Sequence, residues 1–199
     1  MKKKFACALG VLLLVTGCAS VDGGEVASVT SSTSAAPVAI ETEPLPEPKP
    51  KPMNLADAGA YYLQHVCRSN QVGDRFNEVL FTAVDKLNAG GAPKLAPLKK
   101  VAAASRDSAR DVADAFSDGD VLWPSTVEKD IKTLIDFQYD EVASLSNMAE
   151  AKSVDQFFRI MDAYEQMVVE SDGPAASQKI RAKLDLAADT VKSCKKYAG

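Results

Sequence analysis

Ten prolines are spread unevenly over this 199-residue chain, and that distribution constrains its fold more than any other feature. Six fall between Pro37 and Pro52; the other four, at 93, 97, 124 and 174, leave long proline-free runs between them. Proline removes a backbone donor and clashes with the preceding turn, so long helices are confined to the second part. From Met53 to Gly199 apolar residues recur at steps of three and four, alanine is abundant and strand-like alternation is missing. These 147 residues have the size of one domain. The expectation is an all-α bundle of five to six amphipathic helices, residues 53–199, joined by short connections.

The helix boundaries follow from local chemistry. Asn54 is a suitable N-cap for a helix starting at Leu55 and running toward Cys67 or beyond. Its apolar positions are Leu55, Tyr62, Leu63 and Val66, then Phe76, Leu80, Ala83, Val84 and Leu87. The polar stretch Arg68-Ser69-Asn70-Gln71 and Gly73 lie between, which reads either as a break between two helices or as a polar turn within one. Asn88-Ala89-Gly90-Gly91 is a stop. A helix from near Pro97 to Phe116 carries Leu98, Val101, Ala102, Ala109 and Val112 on one face. Ser125-Thr126-Val127-Glu128 and Ser153-Val154-Asp155-Gln156 both read as capping boxes. The last helix should open at Asp172-Gly173-Pro174 and carry the stripe Ile180, Leu184, Ala187, Val191 and Cys194.

The first residues carry an address. Lys2, Lys3 and Lys4 precede the eleven apolar or small residues Phe5 to Val15, a stretch of roughly 17 Å as a helix, well short of a ~30 Å hydrocarbon core. This charge asymmetry describes a secretory signal. Val15-Thr16-Gly17-Cys18 resembles the lipobox of bacterial lipoproteins, with Val15 where that family most often has Leu. The resemblance implies that residues 1–17 are a removed signal peptide. It also implies that Cys18 receives a diacylglyceryl group and becomes the new N-terminus, with further acylation by fatty acids such as palmitate. Two or three acyl chains exceed the single-chain threshold for stable anchoring. The implied location is the extracytoplasmic face of a bacterial cell membrane. Ala19, rather than Asp, favours the outer membrane if the cell has two.

Residues 18–52 then form a tether. The stretch is rich in Ser, Thr, Ala and Val, ends in a Pro-x-Pro run and has no aromatic residue, so it buries too little to offset chain entropy. A disordered spacer is expected, polyproline-like near its end at ~3 Å per residue and holding the domain about 30–50 Å off the membrane. Alternation of Pro with Glu and Lys favours this over a docking ligand for an aromatic groove.

Four cysteines are present. Cys7 leaves with the signal, Cys18 is taken by lipid, and Cys67 and Cys194 remain. In an oxidising compartment a remaining pair reads as a disulfide, here stapling the first helix of the domain to its last. A Cys-x-x-Cys redox motif is absent.

Known catalytic patterns do not appear. The sequence lacks a Gly-x-Ser-x-Gly elbow, a phosphate-binding glycine loop and His-Glu-x-x-His. Ser193-Cys194-Lys195-Lys196 has a Ser-x-x-Lys spacing by chance, without companion motifs. His65 is the only histidine, which leaves no multi-histidine metal site. It reads as a partly exposed helix residue rather than a base paired with Asp57. Asp107, Asp111 and Asp114, interleaved with Arg106 and Arg110, read as a solvated face. No cofactor is implied. Tyr62, Phe157, Phe158, Met161 and Tyr164 sit at helical spacing and read as core, with the lining of an apolar pocket as the alternative.

Charge narrows the partners. Of 23 basic and 27 acidic residues, three lysines leave with the signal, so the mature chain has 20 against 27, a net −7. A basic nucleic-acid footprint is absent, and attraction to anionic lipid is disfavoured. The segment Tyr61-Tyr62-Leu63-Gln64-His65-Val66-Cys67-Arg68-Ser69-Asn70 resembles the opening of uncharacterised helical lipoproteins of high-GC Gram-positive bacteria, a likeness that supports an envelope location and brings no activity. The function expected is therefore a lipid-anchored extracytoplasmic binding module, without catalysis, whose partner is an envelope protein or cell-wall component. A carrier of a small apolar ligand or solute is the alternative, and a cell-wall-acting enzyme ranks last.

Overall fold

The computed structural model describes residues 51–187 and 189–197. The signal segment, Cys18 and the tether through residue 50 lie outside the described residues. Among the described residues are six α-helices and one 3-10 turn: α1 Leu55–Asn88, α2 Leu95–Ser117, α3 Ser125–Ala149, α4 Val154–Glu170, α5 Gly173–Lys183 and α6 Thr190–Cys194, followed by the turn Lys195–Tyr197. The fold is all-α, as expected.

Asn54 caps α1, its Oδ1 accepting the Asp57 N–H at 2.9 Å, and Asp57 suits the positive end of the helix dipole. The helix then runs for 34 residues without interruption through Arg68–Gln71 and Gly73. The single-helix reading is therefore the one realised. Its end is closed by glycine: Gly90 has φ +79°, and the Gly91 N–H donates to the Lys86 carbonyl at 2.9 Å, a Schellman-type closure.

Two expectations need correction. The Ser125 capping box does not form, because Ser125 is already the first helical residue of α3 and makes no cap hydrogen bond. Pro124 has extended backbone, and its carbonyl accepts the N–H groups of Val127 and Glu128, so the helix closes one residue earlier. By contrast Ser153 does cap α4, with Oγ accepting the Gln156 N–H, while Gln156 Oε1 reaches back to the Lys152 N–H. The second correction concerns the last helix, which is not continuous to Cys194. It ends at Lys183, Asp185 takes φ +53°, and the Leu186 N–H returns to the Arg181 carbonyl. Asp tolerates this left-handed conformation. Leu184 is buried, but Ala187 is exposed and Val191 is 74% exposed, so the apolar stripe stops where the helix does.

Two apolar cores hold the helices. One gathers Phe76 and Leu80 of α1, Leu98 and Val101 of α2, Leu145 and Met148 of α3, and Phe157 and Met161 of α4. The other gathers Ala58 and Tyr62 of α1, Val112 and Phe116 of α2, Trp123, Ile131 and Leu134 in and before α3, and Ile180 and Leu184 at α5. Helices α1, α2 and α3 thus run through both cores, while α4 closes one and α5 the other. Cys67 of α1 and Cys194 of α6 form the expected disulfide, with Cα atoms 5.2 Å apart and a sequence separation of 127. In the chain-entropy account a crosslink of that span contributes up to about 5 kcal/mol.

Candidate functional site: a groove at the seam of two cores

On α1 the buried residues stop at Cys67 and resume at Phe76; nothing between them is buried. This gap is the polar stretch Arg68–Gln71 and the turn after it. Helix α3 changes core at the same place, with Leu134 in one cluster, Leu145 in the other, and Gln138 and Glu141 between. Two helices thus present polar side chains where the apolar cores part.

A groove of about 680 Å³ opens at this seam, walled by α1, α3, the start of α5 and the C-terminal segment. Val66, Val112, Leu134 and Phe137 supply an apolar floor, and Asn70, Asp74, Asn77, Gln138, Glu141 and Lys195 supply polar groups. The floor is tightly built. A Cβ on Gly173 would lie 2.2 Å from Phe137 Cγ, so only glycine lets the first turn of α5 meet that ring.

Gln138 is only 9% exposed. Its Nε2 donates to Glu141 Oε2 at 2.6 Å, and the Tyr164 hydroxyl donates to Glu141 Oε1 at 2.5 Å. Burial pushes the Glu141 carboxyl above the ordinary glutamate range, and the two donors pull it partly back. The Tyr164 hydroxyl is held well above its usual range by burial and by the adjacent Glu141 charge. The ion pairs among the described residues are Arg106–Asp107, Arg110–Asp107 and Lys183–Asp130. Neither Glu141 nor Asp74, the two carboxylates of the groove, has a basic partner in that set.

One wall is a strap rather than a packed helix. Residues Asp189–Cys194 bury nothing fully, and the segment is fastened by the Cys67–Cys194 bond and by Arg181. The Arg181 guanidinium, 6% exposed, donates through Nη2 to the Ala187 carbonyl and to Ser193 Oγ at 2.9 Å. Its Nε and Nη1 have no hydrogen-bond partner among the described residues.

The aromatic and methionine positions singled out from the sequence do not form one pocket. Tyr62 is fully buried, bonded through its hydroxyl to Ser177 Oγ at 2.7 Å and stacked on Phe116 at 5.7 Å between centroids. Phe157 and Met161 are buried in the other core, with Phe158 and Tyr164 packed against it. None of the five lines the seam groove or the second cleft, of about 700 Å³, between α1 and the start of α2. That second cleft carries Asp74, Arg75, Glu78, Lys86 and Lys94, charges of both signs. Tyr164 reaches the seam only through Glu141.

His65 lies half-buried against Tyr61 and Phe116, with ring centroids 4.7 and 5.9 Å away. Burial and the nearby Arg68 charge hold its pKa below the usual histidine range. Asp57 is engaged by Asn54 instead. Asp107 pairs with the two arginines on the surface of α2. The Ser193 hydroxyl is taken up by the Asp189 carbonyl and Arg181. Gln138, Glu141, Asp74 and Asn70 were not singled out as site residues by sequence reasoning. The signal that pointed to them was the break in the α1 stripe at Arg68–Gln71, which marks the seam.

Among the described residues no helix is long and apolar enough to cross a membrane. No group of three or more His, Cys, Asp or Glu side chains suited to a metal ion occurs there. Compared with protein-family models, curated proteins and solved structures, the chain matches none.

Proposed function

We propose that this protein is a lipid-anchored, extracytoplasmic binding module of the bacterial cell envelope, and that the seam groove is its binding surface. The anchor rests on the signal segment and the lipobox-like Val15–Cys18, and the reach on the proline-rich tether. The observation that carries the binding assignment is a 680 Å³ recess with an apolar floor and carboxylates that lack a basic partner, built from five separate chain segments. A recess of this size is in the range of small-ligand sites. The apolar-carrier alternative draws less support, because the aromatic residues it needs are engaged in core packing. The groove also carries polar groups that are wholly or partly buried, Gln138 and Glu141.

Two measurements test this reading. Mass spectrometry of the membrane-fraction protein should show Cys18 as a diacylglyceryl-modified N-terminus; an unmodified N-terminus elsewhere overturns the anchor. A photo-crosslinker at Asn70 in intact cells should capture a cell-envelope component more efficiently than one at Asp107, an exposed residue of α2 that does not line the groove. Equal capture from both positions overturns the groove.

A further inference from the structure

We infer that the seam groove is selective for an alkylammonium group, a protonated primary amine on an aliphatic stem; this rests on the reading of the groove as the binding surface. The argument begins with hydrogen-bonding capacity. Gln138 is nine-tenths buried and its amide donor is committed to Glu141. Its Oε1 accepts from no described group, and Gln138 lines the groove. What it offers a ligand is therefore an acceptor. When ionised, Glu141 and Asp74 can accept hydrogen bonds but not donate them. These three side chains of the groove thus ask for donors.

Charge points the same way. A carboxylate held away from water is unfavourable unless paired or well hydrogen-bonded. Glu141 has two neutral donors, Gln138 and Tyr164, and no basic partner. Asp74 has no hydrogen bond and no ion pair among the described residues. Among the described residues the one cation lining the groove is Lys195, which follows the strap directly after the disulfide and pairs with neither carboxylate. A ligand cation supplies the missing partner.

Shape completes the class. Val66, Val112, Leu134 and Phe137 form an apolar floor beside these acceptors. Lysine-like groups bury methylenes on apolar surface and keep the ammonium on polar atoms. An alkylammonium satisfies floor and acceptors together; an anion would meet two like charges. The shared chemistry fits a free diamine and a lysine or other diamino side chain of a peptide equally.

The groups that titrate around Glu141 are Asp74 from α1, Tyr164 from α4 and Lys195 from the strap; the α5 residues lining the groove do not titrate. The amine stays protonated well past neutrality. Binding should therefore hold at neutral pH and fall as pH drops through the raised Glu141 value.

The test uses the full chain in detergent, with 1,5-diaminopentane, Nα-acetyl-lysine amide and the uncharged isostere 1,5-pentanediol as probes, followed by calorimetry and amide NMR shifts. At least one amine should bind with shifts at Gln138 and Asn70, and the diol at least tenfold more weakly. The stronger amine identifies a free-diamine or a peptide source. Glu141→Gln should weaken amine binding at least tenfold, and Asp74→Asn, an exposed site with no intramolecular bond to lose, should weaken it several-fold. Diol binding equal to amine binding, no binding of either amine, or amine binding unchanged in both variants overturns the proposal. The Asn70 crosslink separates this from the wider reading: capture persisting without amine binding rejects the ammonium class alone, while loss of both rejects the groove.

Discussion

The two cores use the same three helices and differ in how they are finished. The buried residues of the α4 end are aliphatic, methionine and phenylalanine side chains, with Phe157 and Met148 fully buried and the partly buried Tyr164 packed against them. The α5 end is closed by aromatic residues with polar handles. Tyr61 donates to the Ala115 carbonyl, Trp123 Nε1 to the Phe116 carbonyl, and Tyr62 pairs with Ser177. Apolar packing is strong but weakly directional, whereas a buried hydrogen bond restricts where its partners can sit. The α5 end is accordingly the one that positions Gly173 against Phe137 and the strap over the groove. The difference teaches that one core supplies mass and the other supplies geometry.

Four experiments press on that comparison. Reducing the Cys67–Cys194 bond, or replacing both cysteines by serine, should cost up to about 5 kcal/mol in the chain-entropy account. Urea denaturation with and without a dithiol reductant reads this. A change under 1 kcal/mol would mean that the strap contributes nothing beyond its own tethering. Phe157→Ala should cost about 3–5 kcal/mol, as expected for a large side chain removed from a sealed apolar site. If the α4 end tolerates it with a smaller loss, that end is not the mass-supplying core. Gly173→Ala should cost about 1–3 kcal/mol by overpacking against Phe137, and the same change at Gly73, where a Cβ meets nothing, should stabilise the helix by up to about 1 kcal/mol. Equal effects at the two glycines would remove the argument for close approach at α5. Tyr62→Phe, which deletes only the Ser177 bond, should be the mildest at about 1 kcal/mol. A larger loss would show that the handle does more than direct the ring.

Glu141 adds a pH arm. Its folded pKa is raised, so the folded state holds this proton more tightly than the unfolded chain. The stabilising effect of protonation is present at low pH and is lost as pH rises from the unfolded value through the folded one. Glu141→Gln should flatten that dependence and leave the unliganded domain at least as stable at neutral pH. Chemical denaturation at pH 4 and 7 checks the sign. A variant stabilised yet poorer in amine binding carries the signature of a residue kept for function.

Much of the helical architecture was legible because it depends on local rules. Asn54, Ser153 and Asn88–Gly91 act within one turn of themselves, so their caps and stops could be read from neighbours alone. Ser125 misled because Pro124 offered an equally good terminus one residue earlier. The end of α5 misled for a different reason: Leu184, Ala187, Val191 and Cys194 keep the helical step, but nothing packs on Ala187 or Val191. The disulfide was legible by elimination among four cysteines, although Cys194 sits on the separate short helix α6 and not on a continuation of α5. The polar stretch Arg68–Gln71 was visible as an anomaly, while its meaning depends on Gln138 and Glu141, which lie about seventy residues further along.

The sequence alone determined the helical class, the start of α1 at its Asn54 cap and the disulfide staple. These follow from backbone geometry, periodicity and composition, which act over a few residues. Only the tertiary structure decided that α1 is one helix, that two cores meet at its polar turn and that a buried glutamine and a partly buried glutamate face a groove there. Those outcomes depend on which helix faces meet, and packing between distant segments decides that.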